Sequence, residues 1–368
     1  MRKVIFLQSK FPEDDSEFMY LFKRWEEYGE TLGQYCKEAV IWLFCTNFQQ
    51  GQRAQFLKSQ NIKFLRSVES NVNTRARVLA LNREIYQSSS SFTLVCGDNQ
   101  KSLLIAIYLK LTNGSKVRVQ IQFHGDTYSF RFNRGLRGLV RVCLSRIGIV
   151  FSDSIRIVSK FQMEEIKAFA PKSHQKFVLA PIPIEYSRVA VARSAKTIDL
   201  AFIGRLHKER GITELVDVIT LIKEVSPEIR VVIAGDGPLR TEIEQQLSDW
   251  IEKGDLLMPG YLSGEQIFDL YANTKVLIST APQEGYGLTL REAALSNVLV
   301  VARNSKGAFE AQSTYPDQIK TFSSLSEAVS LIQGSLNHNI DAAPDKLDAQ
   351  RQIDKEGLSR LVHSWLDN

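Results

Sequence analysis

Short apolar, β-rich runs alternate with stretches of helical apolar spacing along the first half of the chain. Strands are predicted at 4–7, 39–44, 62–65, 92–95, 117–123, 153–159 and 177–180. Helices are predicted near 16–30, 74–86, 99–110 and 134–147. Such alternation is typical of a parallel sheet that helices cover on both faces.

The alternation starts again in the second half, after Pro181 and Pro183 interrupt regular structure. Strands are predicted at 198–203, 230–234, 256–258, 276–279 and 299–302. Helices are predicted at 211–224, 238–250, 264–272, 289–296 and about 348–366. The pattern predicts an α/β chain of two Rossmann-like, doubly wound domains that face a central cleft, with ligands beyond the C-terminal ends of the strands.

The expected organisation is an N-terminal domain over 1–185, a C-terminal domain over 186–345, and a final helix, 346–368, that packs back across the domains. With 44% hydrophobic residues among 368, the chain can bury a large core, which excludes a largely disordered protein. Four cysteines without a Cys-x-x-Cys pair disfavour a zinc module and a disulfide scaffold, and they suit a reducing compartment.

The first apolar run is four residues long, which is too short for a signal peptide, and no run reaches the roughly 20 residues that span a bilayer. We therefore expect a cytoplasmic protein that at most lies on the inner face of a membrane. The net charge of +5 is unevenly distributed, because 1–190 carry 28 Lys and Arg against 16 Asp and Glu, whereas 191–368 carry 18 against 25. This asymmetry indicates an anionic partner for the first half, unless the basic face is simply solvated.

The most informative motif runs from Glu284 to Glu292, between a predicted strand and a predicted helix. Gly285 and Gly287 let the backbone approach a ligand closely, and the amides from Gly287 and Leu288 onward open a helix whose N-terminus attracts phosphate. Glu292 falls on the first turn of that predicted helix, where its carboxylate can accept two hydrogen bonds from a ribose diol. By themselves, a capping residue and a surface glutamate would give the same pattern.

A second motif, residues 202–211, places Gly204 and Arg205 directly after a strand, and Arg210 and Gly211 before a helix. Two guanidiniums aimed at one cleft suit a diphosphate, since each offers forked, charge-assisted hydrogen bonds. A surface loop with ordinary charges is the alternative. The third segment, Gly-Asp-Gly-Pro at 235–238, is by itself only a turn.

Together with 259–263, these segments resemble the C-terminal domain of retaining glycosyltransferases with the GT-B fold, and are most similar to glycosyltransferase family 4. The resemblance covers about 118–310 and is strongest from 198 to 303. Two motifs support the resemblance. The first is a pair of glutamates separated by seven residues, at 284–292. The second is Gly-Arg-Leu followed, after three residues, by a basic residue and Gly, at 204–211.

The resemblance implies a nucleotide-diphosphate sugar as donor, with no cofactor. Arg205 and Arg210 would neutralise the diphosphate, Glu292 would hold the ribose, and the backbone near Leu262 would meet the base. Glu284 would lie beside the donor sugar, and His124 matches the histidine of the family's N-terminal domain that reaches this sugar. A lone histidine without the family would more often be structural.

Two positions depart from the family. Position 210 is Arg where Lys is usual, with Lys208 as a possible substitute, and the loop at 8–15 carries Glu13, Asp14 and Asp15 where the family has a Gly-Gly pair. These carboxylates would oppose a diphosphate unless Lys10 or an acceptor intervenes. The chain contains no Asp-x-Asp motif, which disfavours the other, metal-dependent glycosyltransferase fold, and we expect no metal requirement.

Basic residues cluster at 131–146 without an acid, and Arg131, Arg134, Arg137 and Arg141 fall within one 120° arc of a helical wheel. The helix is therefore a candidate contact for an anionic membrane or a phosphorylated acceptor. The alternative is that its apolar side packs on the sheet while the arginines face water.

The leading hypothesis is a metal-independent, retaining hexosyltransferase that acts on a glycan or lipid-linked acceptor in polysaccharide or glycoconjugate biosynthesis. A small phosphorylated acceptor is a second possibility, and a catalytically silent GT-B scaffold of a polysaccharide-assembly complex is the third. Nucleic acid is not expected as a partner, since the basic stretch has few interleaved aromatic residues.

Overall fold

The computed structural model describes residues 2–8, 15–37, 40–45, 62–64, 74–97, 100–124, 127–130, 135–184, 189, 196–337 and 344–366. The chain divides into two compact units, unit 1 with Met1–Pro181 and Lys355–Asn368, and unit 2 with Ile182–Asp354. Within the described part of the chain, no helix has both the length and the hydropathy needed to cross a membrane. The predicted domain boundary at 185–186 and the acidic loop residues Glu13 and Asp14 lie outside the described residues.

Unit 1 is built on a seven-stranded parallel sheet in the order β3-β2-β1-β4-β5-β6-β7. Its strands are β1 (Arg2–Gln8), β2 (Val40–Cys45), β3 (Ile62–Phe64), β4 (Ser91–Cys96), β5 (Val117–Phe123), β6 (Ser154–Ile157) and β7 (Phe177–Leu179). Its first helices are α1 (Asp15–Tyr35), α2 (Thr74–Gln87), α3 (Gln100–Asn113), α4 (Gly135–Phe151) and α5 (Lys160–Phe169). Nearly every residue of β4 and β5 is buried, as expected for strands that are covered on both faces.

Unit 2 is built on a six-stranded parallel sheet in the order β10-β9-β8-β11-β12-β13. Its strands are β8 (Ile198–Ile203), β9 (Val231–Ala234), β10 (Leu256–Gly260), β11 (Thr274–Ser279), β12 (Leu299–Arg303) and β13 (Ile319–Phe322). Its helices are α6 (Ile212–Val225), α7 (Arg240–Gln246), α8 (Ser248–Glu252), α9 (Gly264–Asn273), α10 (Leu288–Leu295), α11 (Lys306–Thr314) and α12 (Leu325–Leu336). The last helix, α13 (Pro344–Leu366), belongs to unit 2 up to Asp354 and to unit 1 from Lys355.

The expectation of an α/β chain with two doubly wound parallel sheets is confirmed. The single helix predicted at 238–250 is wrong, because α7 and α8 are separated at Leu247. The backbone of Leu247 leaves helical conformation, with φ −111° and ψ 16°, while its side chain is fully buried. The elements α11, β13 and α12 were not anticipated from the sequence.

The strand order of unit 2 reverses beside β8. The chain passes from β8 to β9 and β10 on one side, and then crosses to β11, β12 and β13 on the other. Because all the strands are parallel, the loops that follow β8 and β11 leave the same edge of the sheet as neighbours. Such a switch point is where open α/β sheets bind ligands.

Candidate functional site

The segments that follow β8 and β11 touch through their backbones at the switch point of unit 2. The Thr280 hydroxyl donates a hydrogen bond to the Arg210 carbonyl oxygen at 2.9 Å. Gly211 has φ +66°, and a Cβ placed on it would lie 2.0 Å from the Thr280 carbonyl oxygen. Only glycine therefore fits this contact, which brings 204–211 and 284–292 together.

Glu284 is the acidic group at the centre of this contact. Its side chain is only 10% exposed, and its Oε1 accepts hydrogen bonds from Arg210 Nη1 at 3.0 Å and from Ser279 Oγ at 3.2 Å. A carboxylate at this depth requires such partners, because burial of an unpaired charge is costly. Arg210 thus lies against Glu284, and its other guanidinium N–H groups are left to meet an anion.

Arg205 lies at the surface, with its side chain 72% exposed. Its Nη2 donates to Glu209 Oε2 at 2.9 Å, an exposed ion pair of the kind that contributes about 0–1 kcal/mol. A pair this weak leaves the guanidinium able to exchange Glu209 for another anion. Lys208, the possible substitute for the family's lysine, is exposed in the short 3-10 turn Lys208–Arg210.

The loop of Gly285 and Gly287 opens α10. Gly287 is the N-cap residue in the left-handed conformation, with φ +67°, and Leu288 is the first helical residue. The first amides of a helix have no acceptor within the helix and carry the positive end of its dipole. These amides are hydrogen-bond donors of the kind that suits an anion.

Glu292 lies in the second turn of α10, and the prediction of the first turn is wrong, because the helix begins already at Leu288. Side chains of a helix point back toward its N-terminus, so the carboxylate still approaches the loop. Its Oε2 accepts a hydrogen bond from the Tyr271 hydroxyl at 3.3 Å. Burial, with the Glu292 charge as the second cause, raises the pKa of Tyr271 well above its usual value, so that this hydroxyl stays a donor.

The loops after β9 and β10 join the same edge of the sheet. The Gly235 N–H donates to the Gly260 carbonyl oxygen at 2.8 Å. A Cβ on Gly235 would lie 1.9 Å from the Gly204 carbonyl oxygen, which fixes the third predicted segment against the second. Leu262 follows β10 by two residues and is half-buried.

Several residues that hold the site were missed by sequence reasoning. Ser279 ends β11 and binds Glu284, Thr280 follows the strand and binds Arg210, and Tyr271 binds Glu292 from α9. Gly307 supports the loop from behind, since a Cβ there would lie 2.1 Å from the Glu284 carbonyl oxygen. The only available signal was a Ser-Thr pair at the end of an apolar run, which is too common to be informative alone.

His124 follows β5 in unit 1 and keeps an exposed surface. Loss of hydration around the imidazole, and then the positive charges of Arg156 and Arg24, lower the pKa of His124 below its usual value. The ring is therefore neutral at pH 7. Its role toward a donor sugar stays a prediction.

Arg137 and Arg141 lie exposed on α4, whereas Arg131 and Arg134 lie outside the described residues. The alternative in which the apolar side of α4 packs on the sheet is wrong. The residues of α4 that are buried are mostly small: Gly138, Val142, Ser145, Gly148 and Ile149. The exposed apolar residues of α4 include Leu136, Leu139, Val140, Cys143, Ile147 and Val150.

The size of the side chains explains which face of α4 is buried. A Cβ on Gly148 would lie 2.7 Å from terminal methyl groups of Ile121 and of Leu103, so a larger residue would require these side chains to shift. Close approach of the helix to the sheet selects glycine and serine, and it leaves the larger side chains outward.

Residues 184–315 match the family Glycosyl transferases group 1. A Bacillus subtilis protein, uncharacterized glycosyltransferase YqgM, is 24% identical over 286 residues, which are 77% of this chain and 78% of that protein. The phosphatidylinositol N-acetylglucosaminyltransferase gpi3 subunit of Schizosaccharomyces pombe is 29% identical over 113 residues, 31% of this chain and 25% of that protein. The crystal structure of Anabaena Alr3699/HepE in complex with UDP and glucose covers 99% of both chains, with a TM-score of 0.68 and 16% identity.

The matched family segment contains the motif 202–211 and the motif 284–292, which are the two segments that meet at the switch point. The structural likeness extends over both units. The chain therefore has the GT-B fold, and its residues 184–315 match the group 1 glycosyltransferase family.

Proposed function

We propose that the protein is a retaining, metal-independent enzyme of the family 4 type, which moves a hexose from a UDP-sugar to a glycan or lipid-linked acceptor. The observation that carries the proposal is the hydrogen bond between Arg210 and Glu284 at the switch point of unit 2, on the segment that leads into α10. The structure of Alr3699/HepE in complex with UDP and glucose supports UDP as the nucleotide.

The donor diphosphate is assigned to the cationic part of this site. As the bond between the anomeric carbon and the phosphate oxygen breaks, negative charge grows on the diphosphate. Arg205, Arg210 and the first amides of α10 stabilise that charge more in the transition state than in the ground state. This arrangement supplies without a metal what a divalent cation supplies in other transferases.

The sugar and the nucleoside are assigned to the two carboxylates. Positive charge grows on the anomeric carbon, and Glu284, held by Arg210 and Ser279, stabilises it and bonds the sugar hydroxyls. Glu292, held by Tyr271, accepts hydrogen bonds from the ribose. The acceptor oxygen attacks from the side of the leaving group, and the departing phosphate oxygen takes the acceptor proton, which retains the configuration.

The test is a binding panel of UDP-, GDP-, ADP- and dTDP-sugars, with and without EDTA. We expect a UDP-sugar to raise the melting temperature regardless of EDTA, since a ligand at 100 times its Kd adds about 2.7 kcal/mol to stability. The shift should disappear in Glu292→Ala. Absence of any shift, together with absence of sugar transfer, would favour the silent scaffold, and a shift that EDTA removes would contradict metal independence.

We further propose that α4 contacts an anionic membrane at the inner, cytoplasmic face. The support is charge and exposure: α4 contains no acid, Arg137 and Arg141 are exposed, and Leu136 and Val150 are 77% and 70% exposed. A helix with exposed basic and large apolar residues suits the headgroup region of a bilayer. The phosphatidylinositol in the name of the gpi3 subunit is consistent with a lipid acceptor.

Flotation with vesicles tests this contact. The wild-type protein should float with phosphatidylglycerol vesicles and not with pure phosphatidylcholine. At about 1 kcal/mol for each basic residue near an anionic surface, Arg137→Glu with Arg141→Glu should weaken binding at least roughly thirtyfold. Leu136→Ser with Val150→Ser should also release the protein, whereas Leu257→Ser, at an exposed leucine of unit 2, should not. Equal binding by all the variants would contradict the proposal.

A further inference from the structure

The loop between Glu284 and α10, residues 285–287, carries a single side chain, that of Tyr286. Glycines stand on both sides of Tyr286, so Tyr286 is the one side chain of 285–287 that can anchor the loop. Tyr286 is 5% exposed, and the Arg291 guanidinium lies 4.3 Å from its ring centroid. Arg291 Nε also donates to the Tyr286 carbonyl oxygen at 3.1 Å.

The hydroxyl of Tyr286 is hydrogen-bonded to a glutamine of α13. Gln350 is fully buried, and its Nε2 donates to the Tyr286 hydroxyl at 3.3 Å and to Asp354 Oδ1 at 2.8 Å. Its Oε1 accepts from the Tyr315 hydroxyl at 2.5 Å. Asp354 is itself fixed, since its Oδ2 accepts from the Ile184 N–H at 2.9 Å. Both ends of the Gln350 amide are thereby engaged.

We propose that Gln350 is a positioning residue for donor binding, which acts through the Tyr286 hydroxyl on the loop that leads into α10. The inference rests on the proposed function, because it assigns that loop to the donor. The flanking glycines give the loop freedom to rotate. The buried Tyr286 ring fixes how deeply the loop packs, but by itself it does not fix the direction in which the loop runs. A hydrogen bond from a fully engaged amide supplies that direction, and with it the placement of the first α10 amides.

The identity of residue 350 follows from the same network. Glutamate would place a second carboxylate against Asp354, and it would lose the donor that Tyr286 and Asp354 share. Leucine would keep a similar volume but would leave the Tyr286 hydroxyl and the Asp354 carboxylate without this partner. Buried polar groups without partners are unfavourable, so either change allows the loop to move.

The test measures the Kd for UDP and the melting temperature of Gln350→Leu, Tyr286→Phe and the double variant. Each single variant is expected to weaken UDP binding about tenfold, and the double variant no more than either one, because both remove the same link. Tyr315→Phe is the matched control. It removes the hydrogen bond that Gln350 Oε1 accepts and leaves both bonds of Gln350 Nε2 in place, and it should lower the melting temperature while the Kd changes less than twofold.

A network with only a structural role would lower the melting temperature in all four variants and leave the Kd for UDP unchanged, which would overturn the inference. Additive effects of Gln350→Leu and Tyr286→Phe on the Kd would overturn it too. If Gln350→Leu fails to fold, Tyr286→Phe, which keeps the ring and its contact with Arg291, carries the comparison with Tyr315→Phe. Absence of UDP binding by the wild-type protein would instead refute the proposed function.

Discussion

His124 offers a titration that can be measured apart from catalysis. Its folded-state pKa lies below the value near 6.5 of an unfolded chain. Above pH 6.5 both states are neutral and the group contributes nothing to the pH dependence. As the pH falls below 6.5 the unfolded chain takes up a proton that the folded state does not, so the free energy of unfolding decreases.

We therefore expect His124→Asn to remove part of the acid sensitivity of the protein. The difference in melting temperature between pH 7.5 and pH 5 should be smaller in the variant than in the wild type. His363, an exposed histidine of α13, provides the control His363→Asn, which should leave that difference unchanged. An unaltered pH dependence in His124→Asn would contradict the lowered pKa.

We predict that Arg210 binds the diphosphate of UDP in addition to forming its ion pair with Glu284. Removing a charge-assisted contact of about 1.5–3 kcal/mol should weaken UDP binding roughly tenfold to a hundredfold in Arg210→Ala. The matched control is Lys275→Ala. Lys275 pairs with Asp199 at 2.7 Å, with similar exposure, at the amino ends of β11 and β8. Equal Kd values for UDP in Arg210→Ala and the wild type would contradict the assignment.

At the scale of elements, Gly211 allows the segments that follow β8 and β11 to come into close contact. Gly211→Ala would place a methyl group 2.0 Å from the Thr280 carbonyl oxygen, so we expect this variant to lose several kcal/mol and its UDP affinity. Gly254→Ala is the control, because Gly254 also has a positive φ, +78°, but nothing within 4 Å. It should lose only the roughly 1–2 kcal/mol of the left-handed conformation. Urea unfolding curves of the two variants give the comparison.

The strands and helices that could be predicted from the sequence are those with an unbroken apolar pattern. β5 and β8 have the predicted bounds, and the two motifs indicated the loops that the switch point brings together. The pattern could not reveal that Gly211 meets Thr280, because that contact depends on which strands are neighbours. Strand order is a long-range property, and periodicity is a local one.

The predicted orientation of α4, with its apolar side on the sheet, was wrong for a different reason. Hydrophobic spacing favours the face with Leu136, Leu139 and Ile147, but these residues are exposed. The distance between helix and sheet selects side chains by size, and Gly148 fits where a larger residue would collide with Leu103. A hydrophobic pattern carries no information on that distance.

At the scale of the whole molecule, α13 contributes a different residue to each unit. Gln350, in unit 2, donates a hydrogen bond to the Tyr286 hydroxyl of the loop 285–287. Trp365, in unit 1, is fully buried, and its Nε1 donates to Gln120 Oε1 at 2.7 Å while its ring meets Phe6 edge-on at 5.4 Å. Each unit has hydrophobic clusters of its own, so the two residues stabilise different cores.

The last prediction separates these two roles of one helix. Trp365→Ala should remove about 3–5 kcal/mol of stability, because it opens a large cavity in unit 1 and removes one of the two donors to Gln120 Oε1. Its Kd for UDP at 20 °C should stay within twofold of the wild type, in contrast to Gln350→Leu. Calorimetry with and without UDP, beside titration of UDP at 20 °C, measures both quantities. If Trp365→Ala weakened UDP binding as strongly as Gln350→Leu, the packing of α13 in unit 1 would itself control the position of the loop 285–287.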